Sequence, residues 1–297
     1  MKNGLIIIDK PNGISSQAVV NRVKRALGVK KAGHTGTLDP MATGVLPVLV
    51  GRGVKASEYM SSEDKHYLAT LLLGVETDTE DVTGEVLCES SEIPTEDAVL
   101  SAILSMKGCS RQIPPMYSAV KKDGKRLYEL ARQGISVERE SREIEIKEIS
   151  AKRITDREYE IEVVCSKGTY IRTLCADIGR ALGCGGTMKS LRRLSAAGYG
   201  ISEAVTLDAL EAMPEAERDE RVLPVESIFS ELTRITLIPH FARLARNGLE
   251  IYLYKIGLEL DIGTKVTLFD GQGFFALGEV RAFDEGAAIK PIKQFDI

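Results

Sequence analysis

The feature that most restricts the fold of this chain is a glycine-rich stretch at residues 32–50, AGHTGTLDPMATGVLPVLV. Its three glycines allow backbone angles that other residues avoid, and Pro40 biases Asp39 away from helical geometry. We therefore predict a tight loop that presents Asp39, followed by a buried strand over the apolar residues 45–50. A loop that holds an acid at the mouth of a core strand is a common active-site plan, although most Asp-Pro pairs are ordinary turns.

The stretch from Gly33 to Pro47 resembles the signature loop of the TruB-type tRNA pseudouridine synthases, in which the aspartate is the essential catalytic residue. Further matches follow in the order of that family. They are Asp9-Lys10-Pro11-Asn12-Gly13, Asp64-Lys65-His66-Tyr67, Thr77-Asp78-Thr79-Glu80-Asp81, residues 165–172 and Leu191-Arg192-Arg193-Leu194. The resemblance therefore extends over residues 5–200 and does not depend on one motif.

The resemblance and the local sequence patterns together predict an α+β fold with a mixed, largely antiparallel central sheet and flanking helices. Residues 66–73 place apolar side chains at every second position, and residues 142–149 and 159–165 alternate apolar with charged residues, as strands with one wet face do. From about Thr233 short β segments and turns predict a small C-terminal β-barrel, which resembles the PUA-like module of this family.

The predicted domain organisation follows from these patterns and from the resemblance. Residues 1–231 are expected to form the catalytic domain, with an acidic connector at about 208–231, and residues 232–297 a PUA-like RNA-binding domain. The resemblance implies that residues 107–142 form an inserted thumb that clamps the RNA arm. A charged helical hairpin is the alternative interpretation of that segment.

The formal net charge of −4 conceals a segregation of charge along the chain. Residues 1–60 carry nine Lys or Arg against three acids, residues 107–142 nine against four, and residues 166–193 six against one. Residues 203–231 instead hold nine acids and two bases. If these three basic segments lie on one face, they form a positively charged surface that can bind a polyanion. Solvent-exposed helices would give the same pattern.

Within the predicted thumb, basic residues alternate with aromatic ones, a mixture that suits base stacking combined with phosphate contact. The candidates for contact with the RNA backbone are Lys121, Lys122, Lys125 and Arg126.

The composition argues against several classes of protein and of site. The longest apolar runs are far shorter than the roughly 20 residues that span a bilayer, and residues 1–13 lack signal-peptide features. Five cysteines without a C-x-x-C pair and only three histidines argue against a disulfide scaffold or a zinc cluster. We expect a cytoplasmic monomer without metal, cofactor, membrane contact or obligate protein partner.

The resemblance also implies individual roles. Asp39 is the candidate nucleophile or general base, and Arg172 is its partner. An arginine about 4–6 Å from a carboxylate lowers its pKa by roughly 1–3 units, so we predict a stable Asp39 anion. Tyr67 is expected to stack on the target uracil and is a candidate to move a proton at the sugar.

The remaining candidates are substrate-binding residues by the same matching. Tyr170 and Leu191 are expected to line the pocket, His34 to fill the gap in the RNA stack, and Lys10 to support the loop near Asp39. Without the resemblance, each of these residues also has an ordinary structural interpretation, such as a turn histidine or an exposed turn lysine.

The resemblance implies that the activity is isomerisation of the uridine at position 55 in the T-loop of tRNA, with the T-arm as the binding partner. This redox-neutral reaction needs no cofactor in principle, but it needs an ionised carboxylate beside the sugar and a dry pocket for a flipped base. A non-catalytic RNA-binding or tRNA-chaperone protein on the same fold is one alternative. A phosphate-handling enzyme is another, although the glycine-rich loop lacks the Gly-Lys-Ser/Thr ending.

Overall fold

The computed structural model describes residues 2–60 and 64–295, and its elements follow in chain order. The helices are α1 (Ser16–Ala26), α2 (Ser57–Met60), α3 (Glu96–Leu104), α4 (Leu127–Ala131), α5 (Ile171–Leu182), α6 (Leu207–Ala212), α7 (Glu215–Glu220), α8 (Pro239–Arg246) and α9 (Leu253–Ile256). The strands are β1 (Gly4–Lys10), β2 (Ala32–His34), β3 (Thr43–Val50), β4 (Lys65–Leu73), β5 (Val75–Thr77), β6 (Val86–Glu89), β7 (Gly108–Gln112), β8 (Lys121–Lys122), β9 (Lys125–Arg126), β10 (Arg142–Arg153), β11 (Glu158–Cys165), β12 (Gly186–Ala196), β13 (Tyr199–Gly200), β14 (Val205–Thr206), β15 (Leu223–Pro224), β16 (Thr233–Thr236), β17 (Ile251–Tyr252), β18 (Lys265–Asp270), β19 (Gly273–Phe283) and β20 (Gly286–Gln294). Short 3₁₀ helices cover Gly51–Ala56, Ile201–Glu203 and Val225–Phe229.

The central sheet has the strand order β14-β1-β3-β12-β4-β11-β10-β7, with β2, β13 and β15 paired at its margins. Its long pairings are antiparallel, whereas β1 with β14 and β3 with β12 are parallel. Helices pack on its faces: α5 against the β4 and β12 side, and α1 with α6 against β1 and β3. The prediction of an α+β fold with a mixed, largely antiparallel sheet is confirmed.

Strand β4 shows why this sheet forms. Its alternate residues Tyr67, Ala69, Leu71 and Leu73 are buried in the main apolar core, while the residues between them are half-exposed. Period-two burial of this kind fixes which face a strand turns to the core, because a slip of one residue would expose all four side chains.

Strand β12 runs between β3 and β4 and so joins the two halves of the sheet. It lies so close to β3 that a Cβ built on Gly44 would be 2.2 Å from the carbonyl oxygen of Arg193. Gly44 also has a φ of 102°, which side-chain-bearing residues rarely adopt. The glycine of the motif is therefore required by strand packing as well as by the turn.

The predicted thumb begins later in the chain than residue 107. Strand β7 pairs with β10 at the edge of the central sheet, so the segment that leaves the sheet is 113–141. It contains the β8–β9 hairpin and the short helix α4.

The acidic stretch predicted as a connector is built into the fold. Strand β15 pairs with β1, and α6 packs against α1 through Leu207 and Leu210. Apolar residues placed among the acids make this possible, because they bury one face while the carboxylates stay outside.

The C-terminal residues form a second sheet of five strands, in the order β16-β18-β19-β20-β17, which curls into a half-barrel. Helix α8, which the β pattern did not predict, packs on this sheet through Ala242 and Ala245. Phe274 and Phe295 share one apolar cluster with Leu5 and Leu49 of the central sheet. The two sheets therefore meet through a common core. No helix in the described part of the chain is both long and apolar enough to cross a membrane.

Candidate active site

Asp39 lies in the loop between β2 and β3, and the buried side chain of Lys10 binds the backbone of that loop. Lys10 is 0% exposed, and its Nζ donates to the carbonyl oxygens of Pro40 at 3.0 Å and Ala42 at 2.6 Å. The amide of Gly13 also donates to Pro40 O, at 2.8 Å. These contacts fix the backbone on the C-terminal side of Asp39. Lys10 does not line the cleft, so its contacts fit the predicted loop support and not contact with RNA.

Ser16 holds the loop on the other side of Asp39. Its Oγ accepts from the amide of Leu38 at 2.8 Å and donates to the carbonyl oxygen of Leu38 at 2.9 Å. Ser15 and Ser16 are adjacent hydroxyl residues at the start of α1. In the structure Ser15 caps the helix, which leaves Ser16 for the loop.

Arg172 contacts both carboxylate oxygens of Asp39. Its Nε lies 2.9 Å from Oδ2, and its Nη2 donates to Oδ1 at 3.3 Å. The side chain of Arg172 is 5% exposed and that of Asp39 is 32% exposed. The fork of a guanidinium matches a carboxylate and orients it, so Asp39 points into the cleft from a fixed base.

The remaining donors of Arg172 bind backbone carbonyls on two other segments. Nη1 donates to Thr79 O at 3.0 Å, and Nη2 donates to Tyr117 O at 2.7 Å. The Oδ2 of Asp81 lies 3.6 Å from Nη1. Arg172 therefore joins the Asp39 loop, the acidic loop 77–85 and the base of the thumb.

Asp81 is a residue of this site that the sequence interpretation did not single out. It is 4% exposed, and its Oδ1 accepts from Thr79 Oγ1 at 2.9 Å, Thr83 N at 2.9 Å and Thr83 Oγ1 at 2.5 Å. The acidic composition of this segment by itself is typical of a surface loop. Its place in the Thr77–Asp81 motif was the one available signal of a site role.

Burial raises the pKa of Asp39 above its ordinary value. The charge of Arg172 is the main opposing influence, Asp81 adds to the rise, and Lys10 opposes it. The predicted lowering of the pKa is therefore wrong in direction, because desolvation of the carboxylate outweighs the guanidinium. Arg172 still stabilises the ionised form. Burial also lowers the pKa of Lys10 to about 8, and Asp39 opposes that change.

The predicted pocket residues do line one cleft, with a volume of about 1310 Å³. Tyr67 and Leu191 are each 8% exposed within it. Tyr170 precedes α5, and its amide donates to Gln112 Oε1 at 2.8 Å while Gln112 Nε2 donates to its carbonyl oxygen at 3.0 Å. Gln112, the last residue of β7, thus fixes the backbone of Tyr170 at the cleft.

His34 lies at the cleft end of β2. Its buried Nδ1 has no hydrogen-bond partner among residues 2–60 and 64–295. Burial lowers the pKa of His34, and the charges of Arg193 and Arg126 lower it further. The imidazole is therefore neutral at pH 7, as suits a ring that occupies space instead of moving protons.

The thumb supplies only part of its predicted basic set to the cleft. Lys121 and Arg126 line it, together with Tyr128 and Arg132. The guanidinium carbons of Arg126 and Arg132 lie 5.8 and 5.4 Å from the ring centroid of Tyr128. Lys122 instead donates to the carbonyl oxygen of Glu138 at 2.6 Å, and neither it nor Lys125 lines the cleft.

The acidic stretch neutralises part of the N-terminal basic block. Arg22 contacts Glu211 at 2.6 Å and Asp208 at 2.8 Å, and Lys2 contacts Asp219 at 2.5 Å. The positive charge that faces the cleft comes instead from later segments. It comprises Lys65, Lys121, Arg126, Arg132, Lys167, Arg172 and Arg193. A cleft with this lining suits a polyanion.

Within the described residues, no group of three or more His, Cys, Asp or Glu side chains is arranged to hold a metal ion. The cysteines Cys165, Cys175 and Cys184 are buried and unbridged. Burial raises the pKa of the Cys175 thiol to about 12, which keeps it protonated.

Two family models match consecutive parts of the chain. Residues 24–171 match the N-terminal domain of the TruB family of pseudouridylate synthases, and residues 172–230 match the C-terminal domain of tRNA pseudouridylate synthase B. Proteins named tRNA pseudouridine synthase B are similar over most of their length. The protein from Alkaliphilus oremlandii is 41% identical over 95% of this chain and 94% of its own length. That from Francisella philomiragia is 40% identical over 99% and 95%.

Solved structures share the fold. The chain matches one in a Cbf5-Nop10-Gar1 complex with a TM-score of 0.69 and 25% identity, over 99% of this chain and 85% of the other. It matches one in an H/ACA RNP bound to a substrate RNA containing 2′-deoxyuridine with a TM-score of 0.69 and 22% identity, over 98% and 84%. With relatives at about 40% identity over almost the whole chain, the protein belongs to the TruB family of pseudouridylate synthases.

Proposed function

We propose that the protein is a tRNA pseudouridine synthase that isomerises the uridine at position 55 in the T-loop, with Asp39 as its essential residue. The observation that carries this proposal is the contact of Arg172 with both carboxylate oxygens of Asp39, at the base of a basic cleft. The position of the modified uridine is supported by the resemblance of the motifs and by the names of the relatives.

The reaction breaks the bond between ribose C1′ and uracil N1, turns the base and forms a bond from C1′ to C5. The proton on C5 is lost and N1 gains one, so the reaction is redox-neutral. A carboxylate that acts directly on the nucleotide must be ionised and within reach of the sugar. The place of Asp39 in the cleft lining supports the second requirement, and the charge of Arg172 supports the first because it opposes the effect of burial on the pKa of Asp39.

Tyr67 is the proposed stacking platform for the flipped uracil, with Tyr170 and Leu191 beside it. A base stacked on an aromatic ring gains roughly 1–3 kcal/mol, which offsets much of the few kcal/mol spent when a loop base leaves its stack. His34 is proposed to fill the space that the flipped nucleotide leaves. Burial lowers the pKa of this imidazole, and its Nδ1 has no hydrogen-bond partner among the described residues, so the ring is suited to stacking.

The T-arm is the proposed binding partner. Lys121 and Arg126 line the cleft and are placed to contact its phosphates, while Arg126, Tyr128 and Arg132 offer a stacked aromatic and basic surface. We assign residues 1–231 to the catalytic domain and 232–297 to a PUA-like RNA-binding domain. The common core of the two sheets would hold these domains in a fixed relationship on the RNA.

The test is chemical mapping of pseudouridine in an unmodified tRNA transcript after incubation with the purified protein, without added metal or nucleotide. Asp39→Asn is assayed beside it. New pseudouridine at position 55 alone, absent with Asp39→Asn although tRNA still binds, is the expected result. Modification at another site would overturn the proposed specificity. Binding by the intact protein without any modification would favour a tRNA-binding or chaperone role.

A further inference from the structure

Arg193 lies at the back of the cleft, and none of the roles above uses it. Its side chain is among the largest fully buried ones of the protein, at 1% exposed. Strand β12 pairs with β4 so that Arg193 is the direct cross-strand partner of Tyr67. Directly opposed residues project from the same face of a sheet, with Cβ atoms about 4.5–5.5 Å apart. The guanidinium therefore extends alongside the phenol ring.

Hydrogen bonds connect this guanidinium to two other parts of the site. Its Nε donates to the carbonyl oxygen of Val45 at 2.7 Å, and its Nη2 donates to that of Gly36 at 3.2 Å. Its own strand, β12, pairs with the strand of Tyr67. Val45 belongs to β3 and Gly36 to the loop of Asp39. One side chain thus links the strand of Tyr67 to the loop of the proposed catalytic acid.

The charge of Arg193 has no counter-ion among the described residues, unlike that of its neighbours. Arg172 pairs with Asp39 and Asp81, and Arg192 pairs with Asp9 at 2.8 Å. A buried cation without a carboxylate is costly, and such a group is retained where another ligand or a developing charge compensates it. The cleft that Arg193 lines receives an anionic substrate under the proposed function.

We propose that Arg193 is a positioning residue for the isomerisation: it fixes Tyr67 relative to the loop of Asp39 and keeps a positive charge beside the Tyr67 hydroxyl. This inference rests on the proposed function, because that function places the uracil on Tyr67. When the bond between C1′ and N1 breaks with its electron pair on the base, the uracil ring becomes an anion. A fixed charge behind the stacking ring stabilises that anion, and preorganised charges of this kind act without rearrangement during the reaction.

The pKa values of neighbouring groups agree with a charge at this position. Burial raises the pKa of Tyr67, and Arg193 is the main opposing influence. Burial lowers the pKa of His34, and Arg193 is the largest charge that lowers it further. The other groups that act on Tyr67 are Cys165 and Asp39, and the other one that acts on His34 is Arg126.

The kinetic test compares Arg193→Met, Arg193→Lys and the control Arg192→Met in single-turnover conversion of tRNA. Arg192 precedes Arg193 on the same strand, carries the same charge and does not line the cleft. Arg193→Met is expected to lower the rate constant about 100-fold with tRNA affinity unchanged, the size of effect that misplacement of a reacting group by about 1 Å produces. Arg193→Lys should restore part of the rate. Equal losses in Arg193→Met and Arg192→Met would overturn the proposal.

A second measurement does not depend on activity. The pKa values of His34 and of ¹³C-labelled Tyr67 are followed by NMR, with the resonances assigned from His34→Gln and Tyr67→Phe. Both pKa values should rise in Arg193→Met and stay near wild type in Arg193→Lys. Unchanged values in a folded Arg193→Met would overturn the placement of the charge.

Should Arg193→Met fail to fold, a wild-type rate in Arg193→Lys would overturn the positioning role. A wild-type protein that makes no pseudouridine would contradict the proposed function alone, because these titrations would still report on Arg193.

Discussion

Arg172 and Asp39 are 133 positions apart in the chain, yet the guanidinium of one contacts both carboxylate oxygens of the other. Arg172 lies in the first turn of α5, and Asp39 lies in the loop that enters β3. The contact places an acid whose pKa burial raises beside a cation that opposes the rise. The pKa of Asp39 therefore depends on two opposing influences, burial and the charge of Arg172, and single substitutions can change either one.

Replacing Arg172 with Met should move the onset of activity to higher pH and abolish turnover at neutral pH. The proposed role of Asp39 requires its anion, which forms as the pH rises through its pKa. Loss of Arg172 removes the main influence that opposes the rise, so the pKa of Asp39 increases further. The measurement is the pH dependence of the single-turnover rate. Normal activity of Arg172→Met at pH 7 would contradict the prediction, and Arg180→Met on the exposed side of the same helix is the control.

Replacing Lys10 with Met should reduce the catalytic rate much more than tRNA affinity. The substitution removes one of the two donors to Pro40 O and the donor to Ala42 O, which leaves the buried carbonyl of Ala42 without that hydrogen bond and loosens the backbone next to Asp39. Each unsatisfied buried group costs about 1–3 kcal/mol, so the free energy of unfolding should also fall. The rate constant, the affinity and a denaturant titration are measured together. Equal losses of rate and affinity would argue for direct RNA contact by Lys10.

Charge reversal should affect tRNA binding differently at two pairs of basic residues in the thumb. Lys121→Glu with Arg126→Glu should weaken tRNA binding and reduce its salt dependence, because both residues line the cleft. Each lost phosphate contact lowers the slope of log K against log salt by about 0.7–0.9. The control pair is Lys122→Glu with Lys125→Glu, which changes the net charge equally but lies outside the cleft lining. Identical salt slopes for the two double variants would rule out a specific contact.

Replacing Gly44 with Ala should destabilise the protein far more than the same change at Gly198. Both glycines have positive φ, 102° and 80°, so both substitutions strain the backbone by about 1–2 kcal/mol. At Gly44 the new Cβ would also lie 2.2 Å from Arg193 O, whereas at Gly198 nothing lies within 4 Å. Denaturant unfolding measures both. Similar losses at the two positions would show that β3 and β12 can separate without cost.

Sequence periodicity predicted the local elements well. The alternation at Tyr67, Ala69, Leu71 and Leu73 appears as β4. These predictions succeeded because buried side chains recur with the period of the backbone. The order of apolar residues in the sequence shows that period directly. Helix α8 was missed, because the short β segments around it dominated the pattern.

The loop of Asp39 was predictable for the same reason, since glycine and proline restrict the backbone wherever they occur. Its supports were predictable only in part. Lys10 and Arg172 were named through motifs, but the separate duties of Ser15 and Ser16 follow from which hydroxyl faces Leu38. The direction of the Asp39 pKa was predicted incorrectly, because the sequence shows charged partners but not the degree of burial.

The sequence by itself determined the strands, the helices, the tight loop and the identity of its acid, because these depend on neighbours within a few residues. The tertiary structure alone decided that β12 lies between β3 and β4. That strand order brings Arg193 beside Tyr67 and against Gly44, and the position of α5 brings Arg172 onto Asp39. Contacts between distant segments depend on the packing of the whole core, and no local period in the sequence records them.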